Sequence, residues 1–279
     1  MFRFSALSVA LGLLCIANTP AVGAAAPPVF SPHPSVGWVA ILGGLKPPKS
    51  GPGPVKDDPA HPTIDNNQFR LTGKQPTLPV ADLRNPILQP WVREALRKRN
   101  ERVLAGEPVF GPRQSCWPRG VPGFLNEGGF QPMFIIQSAK EVIMVAQADN
   151  HQLRHIYLDV PHSKTVKPSW YGESVGRYEG DTLVVDTIGL NTKTVVDNFR
   201  TPHTEKLHVV ERFTLNADRN TLTAIVTVDD PDTFNAALTM QQRWTKVNEP
   251  MGESICAENN FDFFSQNLFP VPMSEKPDF

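Results

Sequence analysis

The chain has 279 residues, a formal net charge of −1 and a pI near 6.7. Apolar residues make up 40% of it and charged residues 20%, which excludes a disordered chain and allows one large hydrophobic core or two small ones. The even charge balance argues against a nucleic-acid-binding protein, which needs a basic patch. The 28 prolines are about twice the average proline content, so we expect few helices and many loops.

The amino terminus has the pattern of a secretory signal peptide. Arg3 supplies a positive charge, residues 6–16 form an apolar run, and small residues precede a predicted cleavage site near Ala24. The apolar run is too short to span a bilayer, which needs about 20 apolar residues. We therefore expect residues 1–23 to be removed and the mature protein to be periplasmic or secreted, without stable membrane insertion.

Cysteine usage agrees with export. Cys15 lies inside the predicted signal peptide, which leaves Cys116 and Cys256 in the mature chain. Two thiols in an oxidising compartment commonly pair, so we predict a disulfide between them. The alternative is a nucleophilic thiol, although no histidine is close to Cys256 in the sequence.

Two segments precede the main domain. Residues 24–79 are rich in Pro, Gly and Lys, and we interpret them as an extended arm or linker. Trp38 and its apolar neighbours predict one short segment of this arm that docks on the main body. Residues 80–106 contain the one good helix candidate, with an apolar stripe and with Gly106 at its end. This helix is expected to pack on the core.

Residues 107–279 are predicted to form the main domain. From Met133 onward, short apolar or alternating segments are separated by Gly, Asn, Asp and Pro turns. Seven or so strands with no helical stretch between them predict a mainly β fold, either an antiparallel barrel, lipocalin-like, or a sandwich. Four phenylalanines lie within residues 259–270. We expect this aromatic tail to fold back over the barrel, as simple cover or as a lid over a ligand cavity.

Residues 172–176 read Gly-Glu-Ser-Val-Gly and match the serine-hydrolase string G-x-S-x-G. In those enzymes a strand, a sharp turn and a helix expose the serine oxygen. Here the residues after Gly176 predict a turn and another strand, so the local context differs. Ser174 is therefore kept as the nucleophile of an alternative function, a serine ester hydrolase.

The segment 202–213 holds a denser group of ionisable residues. On a strand, Glu205 and Glu211 would share one face with apolar residues, while His208 and Arg212 would lie on the other. An ionisable group on the inner face of a barrel is costly and therefore a functional candidate. The alternative is that Glu211 and Arg212 lie near the rim in ordinary ion pairs with Arg177 or Arg243. The predicted catalytic residues are His203, Glu205, His208 and Glu211, which would transfer protons, and Arg212, which would stabilise negative charge.

No metal site or cofactor is predicted. The order His203-x-Glu205-x-x-His208 is not the helical zinc-protease motif, and no nucleotide or redox motif is present in the sequence. Aromatic residues instead gather near the bend that follows residue 168. A pocket built from them would suit an apolar or aromatic small molecule. The predicted substrate-binding residues are Tyr157, Trp170, Tyr171, Tyr178 and Asp186.

Residues 174–187 (SVGRYEGDTLVVDT), residues 202–213 (PHTEKLHVVERF) and the later Cys-Ala-Glu-Asn-Asn at 256–260 resemble a widespread family of exported, mostly uncharacterised bacterial β-rich proteins. The resemblance covers roughly residues 110–262. It implies export and a β-rich fold, and it implies no settled activity. The chain has Tyr178 where the family usually has Trp, and Glu173 where it often has His.

The first functional hypothesis is an exported enzyme that acts on an apolar or aromatic small molecule by acid–base chemistry, as a lyase or isomerase. The first alternative is a non-catalytic, lipocalin-like binding protein with the same barrel. A pocket without ionisable groups would favour this binding protein. The second alternative is the serine ester hydrolase. The sequence leaves the substrate and the oligomeric state open.

Overall fold

The computed structural model describes residues 26–41, 45–47, 51–107, 116–126 and 131–255. The predicted signal peptide and the aromatic tail lie outside these residues. So does Cys256, and the predicted bridge to Cys116 therefore stays a prediction.

The described residues form a closed barrel of nine strands that are neighbours in sequence order, and the ring closes between the first and the last. The predicted mainly β barrel is confirmed. The strands are β1 (Val36–Ala40), β2 (Met133–Gln137), β3 (Glu141–Ala146), β4 (Gln152–Leu158), β5 (Glu173–Glu179), β6 (Thr182–Ile188), β7 (His208–Leu215), β8 (Thr221–Asp229) and β9 (Leu238–Asn248).

One strand pair differs from the others. A ring of nine strands cannot be antiparallel throughout, because directions that alternate around an odd ring must repeat once. The repeat lies between β4 and β5, which pair in parallel with Tyr157 opposite Val175. Parallel neighbours need a crossover connection. Residues 159–172 provide it, and we call them the crossover loop.

The barrel core follows the period of two along each strand. On β8, Leu222, Ala224, Val226 and Val228 are fully buried, and the residues between them are partly exposed. This alternation is that of a sheet with one face in the core and one in water. The largest inward side chains are aromatic or charged: Trp38, Trp244, Phe213 and Arg154 are all fully buried.

The arm contributes to the barrel itself. β1 lies within the predicted arm and pairs with β9 along its whole length, so that Trp38 enters the barrel core. Further along, Asp65 caps a short helix, α1 (Asn66–Thr72), and exchanges hydrogen bonds with Gln68 in a capping box. The arm therefore supplies a wall strand of the barrel as well as extended cover.

The predicted helix is α2 (Pro90–Leu104), which begins with proline in its first turn. Its buried residues Val92 and Leu96 pack into the core, and Asn100 exchanges two hydrogen bonds with the backbone of Ala81, at 2.9 and 2.8 Å. A third, four-residue helix, α3 (Ala148–His151), connects β3 and β4. Among the described helices, none is long and apolar enough to cross a membrane.

Candidate functional site

Strand β7 divides the predicted catalytic residues between the two sides of the barrel wall. Glu211 points inward and is fully buried, whereas His208 and Arg212 point outward. His203 and Glu205 lie in the connection before β7, the first buried and the second exposed in a turn. The predicted separation of Glu211 from His208 and Arg212 is therefore observed, but the five residues do not form one site.

Inside the barrel, Glu211 forms an ion pair with Arg154. Arg154 Nη1 donates to Glu211 Oε1 at 2.8 Å, and Nη2 donates to the other carboxylate oxygen. Both side chains are 0% exposed. This two-pronged geometry is the strongest that a guanidinium and a carboxylate make. The sequence analysis did not predict Arg154 as a site residue. It alternates with the exposed residues of β4 and shares a face with Gln152, Ile156 and Leu158, and this pattern could have indicated that it points inward.

Two hydroxyl groups complete this inner network. Arg154 Nη2 donates to Thr187 Oγ1 at 2.9 Å, and its Nη2 and Nε donate to Ser174 Oγ at 3.2 and 3.3 Å. Ser174 and Thr187 also share a hydrogen bond of 2.9 Å. Because buried charges are stable only when paired and hydrogen-bonded, these contacts explain how an arginine is tolerated at the centre of a barrel.

Ser174, the serine of the Gly-Glu-Ser-Val-Gly string, is part of this inner network. Ser174 lies within β5, its hydroxyl points into the barrel, and its partners there are Arg154 and Thr187. A hairpin leads from β5 directly to β6, so the chain forms strand–turn–strand where the hydrolase motif needs strand–turn–helix.

On the outer face, four side chains form a second network, which we call the outer chain. His208 Nε2 lies 2.9 Å from Asp186 Oδ1, and the same oxygen lies 3.0 Å from His162 Nε2. The other ring nitrogen of His162 lies 3.0 Å from Glu173 Oε1. His162 belongs to the crossover loop, which places it beside the start of β5, at Glu173, and near the end of β6, at Asp186.

The hydrogen bonding of the outer chain has consequences for protonation. An ionised carboxylate only accepts hydrogen bonds, so Asp186 and Glu173 are the acceptors in their contacts with His162. Hydrogen bonds from Ser163 lower the pKa of Glu173. Burial raises the pKa of Asp186, but hydrogen bonds from His162 and His208 outweigh it, and the net shift is downward. All four side chains remain partly exposed to water.

The remaining predicted catalytic residues have separate partners. His203 lies 2.7 Å from Thr194 Oγ1 and 2.8 Å from the Thr204 carbonyl oxygen, and burial lowers its pKa. Arg212 donates a hydrogen bond of 2.7 Å to Glu179 on the outer surface. This is an ordinary surface ion pair, as the alternative interpretation expected, but its partner is Glu179. Among the described residues, no group of three His, Cys, Asp or Glu is placed to hold a metal ion.

The predicted substrate-binding residues are distributed over several places. Tyr157 and Tyr171 line a groove of about 340 Å³ beside the crossover loop, with Glu173 at its edge; we call it the crossover groove. Asp186 belongs to the outer chain. Trp170 packs against Trp117, with ring centroids 5.4 Å apart.

Tyr178 lines a larger groove of about 920 Å³, which we call the arm groove. It lies between arm residues 27–36, strand β2 with the following Ser138, and residues 250–251. Gln137 ties the arm to the barrel, because its side chain accepts from Phe30 N and donates to the Pro28 carbonyl and to Tyr178 Oη, each at 2.8 Å. Neither the groove nor this tie was predicted.

The arm groove is largely apolar. Ile136 is 54% exposed on its floor, and Val29 and Met251 are exposed at its sides. Among the described lining residues there is no Asp, Glu, Lys or Arg. Three exposed apolar side chains from distant parts of the sequence therefore lie together in this groove.

Comparisons of the chain with family models, with curated proteins and with solved structures give no match. The resemblance to a family of exported bacterial proteins stays a prediction, and the geometry of the grooves and networks carries the functional argument.

Proposed function

We propose that the protein is an exported, non-catalytic binding protein whose ligand is an uncharged apolar or aromatic small molecule held in the arm groove. The observation that carries this proposal is the lining of that groove, which is apolar and without carboxylate or basic side chains among the described residues. Its volume of about 920 Å³ lies within the range of small-molecule sites.

The polar groups of the arm groove fit the same role. Tyr178 and Gln137 stand at its edge, and they are hydrogen-bonded to one another rather than aimed at a charged ligand. A few polar groups among apolar ones can orient a neutral molecule. Such a ligand has no charge, so the groove needs no side chain of opposite charge to bind it. The proposed ligand therefore carries a ring or chain of carbon atoms and at most a hydroxyl or carbonyl group.

The position of the predicted acid–base residues favours binding over catalysis. Glu211 is fully buried against Arg154, Glu205 is in an exposed turn, and His208 is on the outer surface. A general base must reach the proton that it removes. None of these three residues lines the arm groove as described.

A fluorescence titration tests the binding function. N-phenyl-1-naphthylamine, an uncharged aromatic probe, is expected to bind the purified protein saturably, with its emission increased and shifted to the blue. Ile136→Glu should weaken binding about tenfold or more, because a carboxylate on the groove floor must be desolvated beside the ligand.

The matched control is Ile225→Glu, the same substitution on the outer face of β8, where the isoleucine is 36% exposed. It should bind the probe like the unmodified protein. Equal loss of binding in both variants, or no saturable binding at all, would contradict the proposal.

An acid–base enzyme remains the second candidate, because one observation favours it. Asp186 and His208, two of the predicted site residues, are in contact and continue through His162 to Glu173 at the crossover groove. The outer chain could thus transfer a proton toward a ligand that lies against Tyr157 and Tyr171.

Deuterium exchange tests the second candidate. The protein is incubated in D2O with a panel of aryl ketones, and loss of the proton next to the carbonyl is followed by NMR. Catalysed exchange that disappears in Asp186→Asn, but persists in Asp181→Asn, would establish this activity and displace the binding function as the primary one.

Export and the disulfide belong to the same proposal. In the mature protein, a Cys116–Cys256 bridge would close a long loop, and the chain-entropy model gives such a bridge about 4–5 kcal/mol of stability. Thiol titration of the unfolded, unreduced mature protein should find no free thiol. Two free thiols would refute the bridge.

A further inference from the structure

The chain that follows β9 runs directly past the arm groove. Pro250 and Met251 form part of the lining of this groove. The next residue, Gly252, is fixed to the barrel through both of its backbone polar groups. Gln147 Oε1 accepts from Gly252 N at 2.8 Å, and His151 Nε2 lies 2.7 Å from the Gly252 carbonyl oxygen. The chain therefore continues toward its carboxyl terminus from a fixed point beside the arm groove.

The walls of the arm groove favour an aromatic occupant. Ile136, Val29 and Met251 are all exposed in it, so its floor and sides are open apolar surface. Five prolines also line it, four from the arm together with Pro250. Proline has no backbone N–H, so these walls present apolar rings without a hydrogen-bond donor of their own. Aromatic side chains and proline rings pair in many peptide-recognition sites.

The aromatic tail, residues 259–270, has the matching chemistry. It contains four phenylalanines and one charged residue, Asp262. An extended chain would place Phe261 and Phe263 on one face and Asp262 on the other. Four phenylalanines left in water would form an apolar patch of the size that usually marks a binding surface. The tail therefore carries apolar side chains that need cover, and the arm groove offers apolar surface to cover them.

The aromatic tail is within reach of the arm groove. Phe261 lies nine residues beyond the fixed point at Gly252. An extended chain spans about 3.3 Å per residue, so nine residues cover up to about 30 Å. Gly252 directly follows Met251, which already lines the groove. A connection this short also raises the effective concentration of the tail at the groove to the millimolar range.

We propose that the aromatic tail docks in the arm groove of its own chain and competes there with the small-molecule ligand. This inference rests on the proposed function, because it describes how access to the same groove is regulated. The phenylalanine rings would lie on the apolar floor and against the proline walls. Since the described lining offers no basic side chain to a carboxylate, Asp262 must stay in water, which limits how deeply the tail docks and lets a ligand displace it.

Probe binding tests the competition. The four-serine variant combines changes at all phenylalanines of the tail in the purified full chain: Phe261→Ser, Phe263→Ser, Phe264→Ser and Phe269→Ser. N-phenyl-1-naphthylamine should bind this variant about tenfold or more tightly than the unmodified protein. The reason is that a groove occupied by the tail for most of the time shows an apparent affinity reduced by the fraction that is open.

The matched control changes the same number of residues in the same tail and keeps the phenylalanines. It combines four polar positions: Asn259→Ser, Asn260→Ser, Gln266→Ser and Asn267→Ser. This control should bind the probe with the affinity of the unmodified protein, within about twofold. Tighter binding in the control and in the four-serine variant alike would contradict the role of the phenylalanine rings.

A labelled peptide tests the docking without any ligand. A fluorescein-labelled peptide of residues 259–270 is titrated into the four-serine variant, and its fluorescence anisotropy should rise saturably. Adding Ile136→Glu should weaken this binding about tenfold or more, whereas adding Ile225→Glu should leave it within about twofold. The unmodified protein should bind the peptide more weakly than the four-serine variant, because its own tail occupies the groove.

The two titrations separate a failure of this inference from a failure of the proposed function. If the probe binds but the four-serine variant binds it no more tightly, the competition is overturned and the binding function stands. If the peptide binds the groove and the probe does not, the ligand fails and the docking of the tail stands. A peptide that does not bind, or that binds equally after Ile136→Glu, overturns the inference. Should the four-serine variant fail to fold, Phe263→Ser combined with Phe264→Ser repeats both titrations.

Light scattering identifies whose tail occupies the groove. A tail that docks in its own chain adds no subunit contact, so the unmodified protein and the four-serine variant should have the same mass in solution. An unmodified dimer that becomes monomeric in the four-serine variant would show that the groove takes the tail of a second copy. That result would overturn docking within one chain.

Discussion

The two sides of strands β5, β6 and β7 each carry a network of hydrogen-bonded ionisable side chains, one in the dry core and the other in contact with water. On the inner side, Ser174 and Thr187 support the Arg154–Glu211 pair. On the outer side, their immediate neighbours in sequence, Glu173 and Asp186, hold the histidines of the outer chain. Adjacent residues of a strand point to opposite faces, so one position along the strand decides whether a side chain joins the buried network or the solvent-exposed one.

The difference shows why position matters more than chemical type. In the dry interior, an ionised group without its partner keeps the full desolvation penalty. On the outer surface, water and salt screen the same kind of pair, and its net contribution is small. The inner network should therefore dominate stability, and the outer chain should contribute little to it while staying accessible to solutes.

The strongest test of this contrast removes Glu211. Glu211→Ala leaves the Arg154 guanidinium buried and unpaired, and should lower the free energy of unfolding by about 3–5 kcal/mol. Urea denaturation followed by circular dichroism measures the loss. The control Glu205→Ala, at an exposed turn, should change stability by no more than about 0.5 kcal/mol. Similar losses in the two variants would contradict the contrast.

A double variant sharpens the same comparison. Arg154→Met combined with Glu211→Leu removes both charges and keeps the interior filled, so most of the lost stability should return. If the double variant is no more stable than Glu211→Ala, neutralising the two charges is not the whole contribution of the pair to stability. The pair would then also determine the packing of the core or the register of the strands.

A smaller effect is expected for the inner hydroxyl. Ser174→Ala removes an acceptor of two Arg154 hydrogen bonds and should cost about 1–2 kcal/mol in unfolding free energy. Ser163→Ala is the matched change on the outer side, where the hydroxyl donates to Glu173, and it should cost less. The same pair of variants tests the hydrolase alternative, because an ester turnover that vanishes only in Ser174→Ala would establish it.

The smallest effect concerns the acid stability that the outer chain provides. The pKa values of Asp186 and Glu173 are lowered in the folded state, so their contribution is present above their unfolded values, near pH 4, and is lost as the pH falls through the lowered folded values. At neutral pH, Asp186→Asn should cost no more than about 1 kcal/mol.

Thermal unfolding between neutral pH and about pH 2 measures this contribution. Asp186→Asn and Glu173→Gln should unfold at temperatures that fall less steeply toward acid than those of the unmodified protein. Asp181→Asn, at an exposed turn, should follow the unmodified curve. An unchanged slope in both outer-chain variants would show that the outer chain does not stabilise the fold.

Several features of this molecule could be derived from residue order alone. Period-two alternation predicted a β-rich barrel or sandwich, and it divided β7 into a side with Val209, Glu211 and Phe213 and a side with His208 and Arg212. The apolar stripe and the proline near its start located α2. These inferences succeed because alternation, helical period and capping depend on residues that are close along the chain.

Other features depend on which strands become neighbours. Arg154 meets Glu211 across 57 residues, His162 reaches Asp186 because the crossover loop runs over the barrel wall, and the arm groove exists because β1 closes the ring. No local pattern contains these pairings, since strand order and register are set by burial of the whole chain around one core. Residue order thus divided the recognised strands into two faces, and the closure of the barrel decided which face is buried and which side chains meet.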